Sequence, residues 1–243
     1  MNNSISSVTI SSRLPAGLII PLIYLFAILF FAVPAISQSN PPPHQPPYPA
    51  HWWTPVDPKT APAWEVLPQA AAYGEVILSK RNELGILSNF ASTPFEYRGK
   101  KYASVEGFWQ GTKFPENEKD PRATYPGLSW PLTRIQVDGL TGFEAKDAGN
   151  IGSENMKKMG IDWVTFEGRK LTYKQTGESE FYKLVVEIMS AKLLQNPKVK
   201  EILVQTGDLK LRPDHDSGSP DLKAWQYHQI WMAIRARLHQ LKN

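Results

Sequence analysis

No cysteine occurs in the 243 residues of this chain. That absence removes disulfides, thiolate metal sites and a cysteine nucleophile from consideration, and it is compatible with an oxidising compartment, where an unpaired thiol is a liability. Charge is scarce at the N-terminal end, where Arg13 is the one charged residue before Ser37. Neither Gly-x-x-x-x-Gly-Lys-Ser/Thr nor Gly-x-Gly-x-x-Gly is present, so the sequence offers no glycine cradle for phosphates. A Gly-x-Ser-x-Gly elbow is missing as well, which leaves a Ser-His-Asp triad without support. Asp214-His215-Asp216 holds a lone histidine with no second ligand at a diagnostic spacing, and reads as a polar loop in preference to a metal centre. No segment repeats at a fixed period, which excludes a solenoid. The net charge of +4 is too small and too dispersed to argue for nucleic-acid binding.

From Leu14 to Ile36 the chain is uncharged and almost wholly apolar, with Arg13 before it and Pro21 and Pro34 interrupting it. The unbroken part, Leu22 to Val33, fits the hydrophobic region of a secretory signal and is short for a membrane span. Ala35-Ile36-Ser37 offers small residues where a signal peptidase reads, giving a signal peptide over 1–37. The competing reading is a signal anchor in which 14–36 cross the membrane. Both take the protein out of the cytoplasm, secreted or periplasmic in the first case and membrane-anchored in the second. Residues 38–68 follow as a proline-rich linker, Pro41-Pro42-Pro43 through Pro68, that favours extended chain. Trp52, Trp53 and Trp64 are unusual in a linker, and either clamp it to the domain or form a sticky patch.

The remainder, 69–243, is long enough for one domain with a substantial core. With 42% apolar and 21% charged residues the composition is that of a globular protein. Glu75–Leu78 reads as a short strand. Phe95 and Tyr97 alternate with polar neighbours as in a half-buried strand, and Arg98-Gly99-Lys100 supplies a turn. Ser104 precedes an apolar-periodic run and is a natural N-cap. On the helix it opens, Glu106, Gln110 and Lys113 fall at i, i+4 and i+7, with Glu106 near the positive end of the dipole. Residues 116–131 read as a loop, 143–149 and 153–159 as two helices parted by Gly149-Asn150, and 163–166 as a strand. Residues 178–195 form the longest helix, with Lys192 on its apolar stripe. Asn196-Pro197 opens another helix that Gly207 ends, and 221–241 form the last. The fold class is α+β, a helix-dominated single domain with a few short strands.

Leu87-Ser88-Asn89-Phe90, then Gly99-x-x-Tyr102-x-Ser104-x-Glu106 and Lys113, resembles the opening signature of the NADAR (YbiA-like) family. Asp162-Trp163, Ala191-Lys192-x-x-Gln195-Asn196-Pro197 and Leu203-x-x-Thr206-Gly207-Asp208 extend the resemblance over roughly Gly74 to Leu238, in order and spacing. The resemblance implies an N-glycosidase acting on ribose-phosphate or ADP-ribose compounds, with no metal or organic cofactor. Its partner is then a nucleotide-like small molecule, with nucleic acid only as an ADP-ribosylated substrate and a membrane only if the N-terminal segment is uncleaved. One departure stands out. Members carry an acid soon after the Thr-Gly segment and then Asp-x-x-Trp-Gly, whereas this chain reads Leu211-Arg212-Pro213-Asp214-His215-Asp216 and Asp221-Leu222-Lys223-Ala224-Trp225. Asp214 or Asp221 stands in for the usual acid.

An oxocarbenium-like transition state needs a carboxylate, and the departing nitrogen needs a donor. Glu106 is the carboxylate of choice. Lys113 either holds a phosphate or attacks the ribose carbon as an amine. Ser88, Asn89 and Phe90 grip the base or ribose or simply close a turn, and Gln110 lies beside Glu106. Trp163 stacks on a base or fills the core. Lys192, Asp208 and Asp214 join the substrate set, with Lys80 and Arg81 as further phosphate candidates. The alternatives to a glycosidase are an ADP-ribose- or NAD-binding module without catalysis and a secreted NAD-consuming effector.

Overall fold

The computed structural model describes residues 47–240, which fall in one unit spanning Ser39–Asn243. The signal or anchor reading of 1–37 and the start of the linker lie outside the described residues. Strand β1 (Glu75–Ile77) leads into a loop that ends at Phe90. Strands β2 (Phe95–Tyr97) and β3 (Lys100–Tyr102) form an antiparallel hairpin with Phe95 opposite Tyr102. Arg98 and Gly99 both take positive φ, 50° and 74°, as a two-residue turn matched to strand twist requires. Ser104 then caps α1 (Val105–Gly111), its Oγ accepting the Gly107 N–H at 2.8 Å.

A loop follows, pinned by the wholly buried Arg122. Its guanidinium donates to Asp120, to the Thr112 carbonyl at 3.0 Å and to Thr165 Oγ1. Helix α2 (Arg134–Asp138) opens with a capping box between Thr133 and Gln136. Helix α3 (Gly142–Met159) ends at Gly160 in the left-handed conformation. Strands β4 (Trp163–Phe166) and β5 (Arg169–Thr172) make a second hairpin. Helices α4 (Glu180–Gln195) and α5 (Pro197–Gln205) precede β6 (Lys210–Arg212), which pairs in parallel with β1. Helix α6 (Tyr227–Gln240) comes last. Six helices and three two-stranded sheets among the described residues make this an α+β domain dominated by helices.

Three local readings change. Residues 142–159 form one helix, not two: Gly149 and Gly152 stay helical because they lie where α3 meets α1. A Cβ on Gly149 would stand 1.7 Å from Gln110 Oε1, and one on Gly152 would stand 2.7 Å from Lys113 Cβ. Close packing there offsets the helix penalty of glycine, about 1 kcal/mol each. The last helix begins at Tyr227, six residues late, because the Asp221 carbonyl accepts the Gly177 N–H and the Gln226 amide donates to the Ser217 and Ser219 carbonyls. Lys113 lies beyond the end of α1, in the turn that follows Thr112.

Of the two roles weighed for the linker tryptophans, clamping describes Trp52 and Trp53. They are 0% and 2% exposed within the main core, and their indole N–H groups donate to Glu83 Oε1 at 2.7 Å and the Glu75 carbonyl at 2.9 Å. The segment from Pro47 therefore packs as part of the globular unit. Burial of this kind contributes about 1.5–3 kcal/mol for a large apolar side chain. Among the described residues no helix is long and apolar enough to cross a membrane.

Candidate functional site

Leu87-Ser88-Asn89-Phe90 organises one cleft through its backbone. The Leu87 carbonyl accepts Trp231 Nε1–H of α6 at 2.6 Å, and the Ser88 carbonyl accepts Lys192 Nζ of α4 at 2.8 Å. The Asn89 carbonyl accepts the Glu106 N–H of α1 at 2.9 Å, and the Phe90 carbonyl accepts the Gly142 N–H at the start of α3 at 3.1 Å. One short loop thus ties together four helices. Ser88 Oγ accepts the Phe90 N–H at 3.2 Å, the side-chain turn expected of serine in such a loop.

The cleft these elements enclose has a volume of about 1030 Å³, ample for a ligand of nucleotide size. Its floor is Glu106, Gln110 and Lys113, the three residues that helical spacing put on one face. Lys146, Asn150 and Ser153, also at i, i+4 and i+7, present the facing side of α3. Ser88, Asn89 and Phe90 line it too, with Lys80 from the preceding loop. Trp109, Tyr173 and Trp225 close one end as mutually edge-on rings 5.4–5.8 Å apart, and Trp109 Nε1–H donates to the Tyr173 hydroxyl at 2.6 Å. At the mouth, Phe143 meets Phe90 and Trp64 edge-to-face at 5.2 and 6.3 Å. Lys80 Nζ lies 5.3 Å from the Phe90 ring and 6.0 Å from that of Trp64. Trp64 and Phe143 are half exposed, 50% and 54%.

Glu106 is 7% exposed. Burial raises its pKa above the usual carboxylate value; the Gln110 amide, donating to Oε1 at 2.7 Å, and the charges of Lys113, Lys146 and His215 pull the other way. Burial lowers Lys113 to about 8, against the opposing pull of Glu106 and with help from Lys174. Its ammonium donates to Ser153 Oγ at 2.9 Å and lies 5.2 Å from the Tyr173 ring. The floor therefore holds an acid and an amine that are both biased toward their uncharged forms and stabilise each other when ionised. Asn89 Oδ1 and Gln110 Oε1 are buried on the cleft-lining residues without hydrogen-bond partners. Groups of this kind are costly to leave unmade, and a bound water or polar ligand in the cleft would satisfy them.

Other candidates lie elsewhere. Lys192, wholly buried, reaches the Ser88 carbonyl and no anion; burial alone lowers it to about 7. It supports the cleft loop from behind. Trp163 sits on β4 beneath Arg122 and Lys170, 5.2 and 4.1 Å from its ring, outside the cleft lining. Asp208 is exposed, and its N–H donates to the Tyr48 hydroxyl. Arg81 is engaged by Glu65 through two hydrogen bonds of 2.7 Å. Asp221 is exposed away from the lining. Asp214 is 1% exposed beneath the cleft wall, where it accepts from Lys80 Nζ at 2.5 Å and pairs with His215 Nδ1 at 2.8 Å. Cleft residues that sequence reasoning left out include Lys146, Asn150, Ser153, Tyr173, His215 and Trp64. The helical spacing of the first three was a readable signal; the rest come from segments far apart in the chain. Asp214-His215-Asp216 gathers no further ligands, and no group of three or more potential metal-binding side chains occurs among the described residues.

No protein-family model matches the chain, and no curated protein does so. Among solved structures it superposes on the NMR structure of the E. coli protein YbiA with a TM-score of 0.44 and 18% identity, covering 74% of this chain and 91% of that one.

Proposed function

We propose that this protein is an N-glycosidase, hydrolysing the bond between ribose C1′ and a nitrogen base in a phosphorylated or ADP-ribose-type compound. The observation that carries this reading is the buried Glu106 with Lys113 on the floor of a nucleotide-sized cleft. It joins the motif resemblance, which assigns the same two residues. As C1′ loses its nitrogen, positive charge develops on the sugar. An ionised Glu106 stabilises that charge and accepts a proton from attacking water. Its apolar surroundings strengthen the interaction, because a buried carboxylate acts through a lower dielectric than an exposed one. Lys113 is the amine alternative: at about 8 it is uncharged in a useful fraction at mildly alkaline pH, as addition to C1′ requires. Lys146 at the opening supplies charge for phosphate, beside Lys80 and Arg212, whose charges are shared with Asp214 and Glu75. Trp64, Phe90 and Phe143 supply faces and edges for a base.

Export through the apolar segment 14–36 belongs to the same proposal, and N-terminal sequencing of the mature protein tests it. The experiment on function mixes the protein with NAD, ADP-ribose and guanosine-linked ADP-ribose and reads products by mass spectrometry. Release of a free base, reduced about 10²–10⁴-fold in Glu106→Gln, is the expected result. Tight binding of every compound with none cleaved, unaffected by that substitution, would favour the binding module, which the altered segment after Thr206-Gly207 also suits.

A further inference from the structure

The cleft holds a second ionisable group that the chemistry above leaves idle. His215 lines the opening with its side chain 39% exposed, while Asp214 behind it is buried. Burial raises Asp214, but the hydrogen bond with His215 and the Lys80 ammonium outweigh this and hold its carboxyl below the usual range. An ionised carboxylate only accepts hydrogen bonds, so His215 Nδ1 carries the proton of the 2.8 Å contact. Nε2 is therefore the nitrogen left to exchange a proton with the cleft. The ring is also stacked parallel on Tyr227, centroids 5.9 Å apart with 10° between the planes, so its orientation is fixed on two sides. The proline-rich segment, a strap over this end of the domain, reinforces this: the Val66 N–H donates to the Asp214 carbonyl at 2.8 Å.

A buried carboxylate that orients an imidazole, itself tied by a lysine and facing the same space as Glu106, is more than a loop of polar residues needs. His215 and Glu106 line the same cleft. Lys80, Tyr227 and His228 are the other titratable neighbours of the ring.

Resting on the glycosidase reading, we infer that His215 is the general acid of the reaction and Asp214 its positioning residue. The C1′–N bond breaks with its electron pair passing to the base nitrogen. His215 acts as the imidazolium: it gives its Nε2 proton to the departing base and is left neutral, its Nδ1 proton hydrogen-bonded to Asp214. Water adds to C1′, and Glu106 takes the proton that water loses. The products are the neutral base and the free sugar hydroxyl, and proton exchange with solvent restores both groups.

The need for such a proton depends on what departs. Nicotinamide leaves a pyridinium riboside as a neutral molecule and needs none; a guanine amine leaves as an anion unless protonated. The test measures cleavage of NAD and of guanosine-linked ADP-ribose by the full chain, in wild type, His215→Gln and Asp214→Asn, with circular dichroism as the check on folding. The expected result is a loss in His215→Gln about 10²-fold or more greater for the guanosine compound than for NAD. Asp214→Asn should show the same bias with a smaller loss. Equal losses on both substrates in a folded variant would make His215 structural and overturn the inference, as would an unaffected guanosine reaction. A wild type that cleaves NAD alone overturns the general acid and spares the glycosidase, whereas a wild type that cleaves neither compound overturns both.

Discussion

Glu106, Lys113 and Lys192 are all buried ionisable groups, and burial pushes each toward its neutral form. The first two answer one another across the cleft floor; Lys192 faces a carbonyl and the Trp231 ring, 5.8 Å away, with no carboxylate pull on it. Its consequence is for stability. In the unfolded chain the amine keeps its ordinary value of 10.5, and in the folded protein it is about 7. Below pH 7 both states hold the proton and the whole cost of burying charge is present. Between pH 7 and about 10 only the unfolded chain holds it, so this group makes stability rise with pH, by at most about 1.4 kcal/mol per unit. Urea denaturation at pH 7, 8 and 9 should show wild type gaining on Lys192→Met as pH rises, and parallel profiles would contradict it. At this scale the sequence was informative about oddity and less so about purpose. A lysine on an apolar stripe was visible at once, but that it serves the Ser88 carbonyl depends on a contact between residues 104 positions apart. Glu106 and Gln110 were readable together because one helical turn connects them, and Lys113 stays on the same side although it lies in the turn just past α1.

The start of α1 at its serine cap was readable, whereas the start of α6 and the continuity of α3 were not. Ser104, Ser179 and Thr133 each accept the backbone N–H of a first helical turn, and of these Ser104 stood out in sequence before its apolar-periodic run. Gly149 and Gly152 look like breakers and act as the contact surface of α3, a role fixed only when α1 approaches. The same close approach decides where Lys113 lies. In an exposed helix Gly→Ala gains about 1 kcal/mol; at Gly152 the new Cβ would meet Lys113 Cβ at 2.7 Å and Phe114 Cε2 at 3.3 Å. Gly152→Ala should therefore destabilise the fold by about 1–3 kcal/mol in chemical denaturation. Turnover should fall with it, because the atom displaced belongs to the floor of the cleft. A stabilised variant with unchanged turnover would mean that α1 and α3 yield easily and that the small residues are incidental.

Over the whole molecule, the proline-rich segment is what composition most misdescribes. Proline content predicts extended chain, and residues 47–68 do run with only three-residue and four-residue 3₁₀ turns. Extended is not the same as detached, and the three tryptophans divide the work. Trp52 and Trp53 bury themselves and fasten the strap, while Trp64 stays half exposed and forms part of the cleft mouth. Fastening and recognition should therefore separate by mutation. A chain starting at residue 69 loses two buried indoles, and removal of a buried tryptophan side chain costs about 3–5 kcal/mol, so its melting temperature should drop sharply against a chain starting at residue 47. Trp64→Ala removes no core residue and should leave the melting temperature within a few degrees. Its effect should appear in substrate binding, since an aromatic face stacked on a base contributes about 1–3 kcal/mol, equivalent to roughly a 5- to 150-fold rise in KM. The rise should be largest for ligands that carry a second base and smallest for a simple ribose phosphate. A KM unmoved for both kinds of ligand would make Trp64 one more fastening of the strap and leave recognition to Phe90 and Phe143.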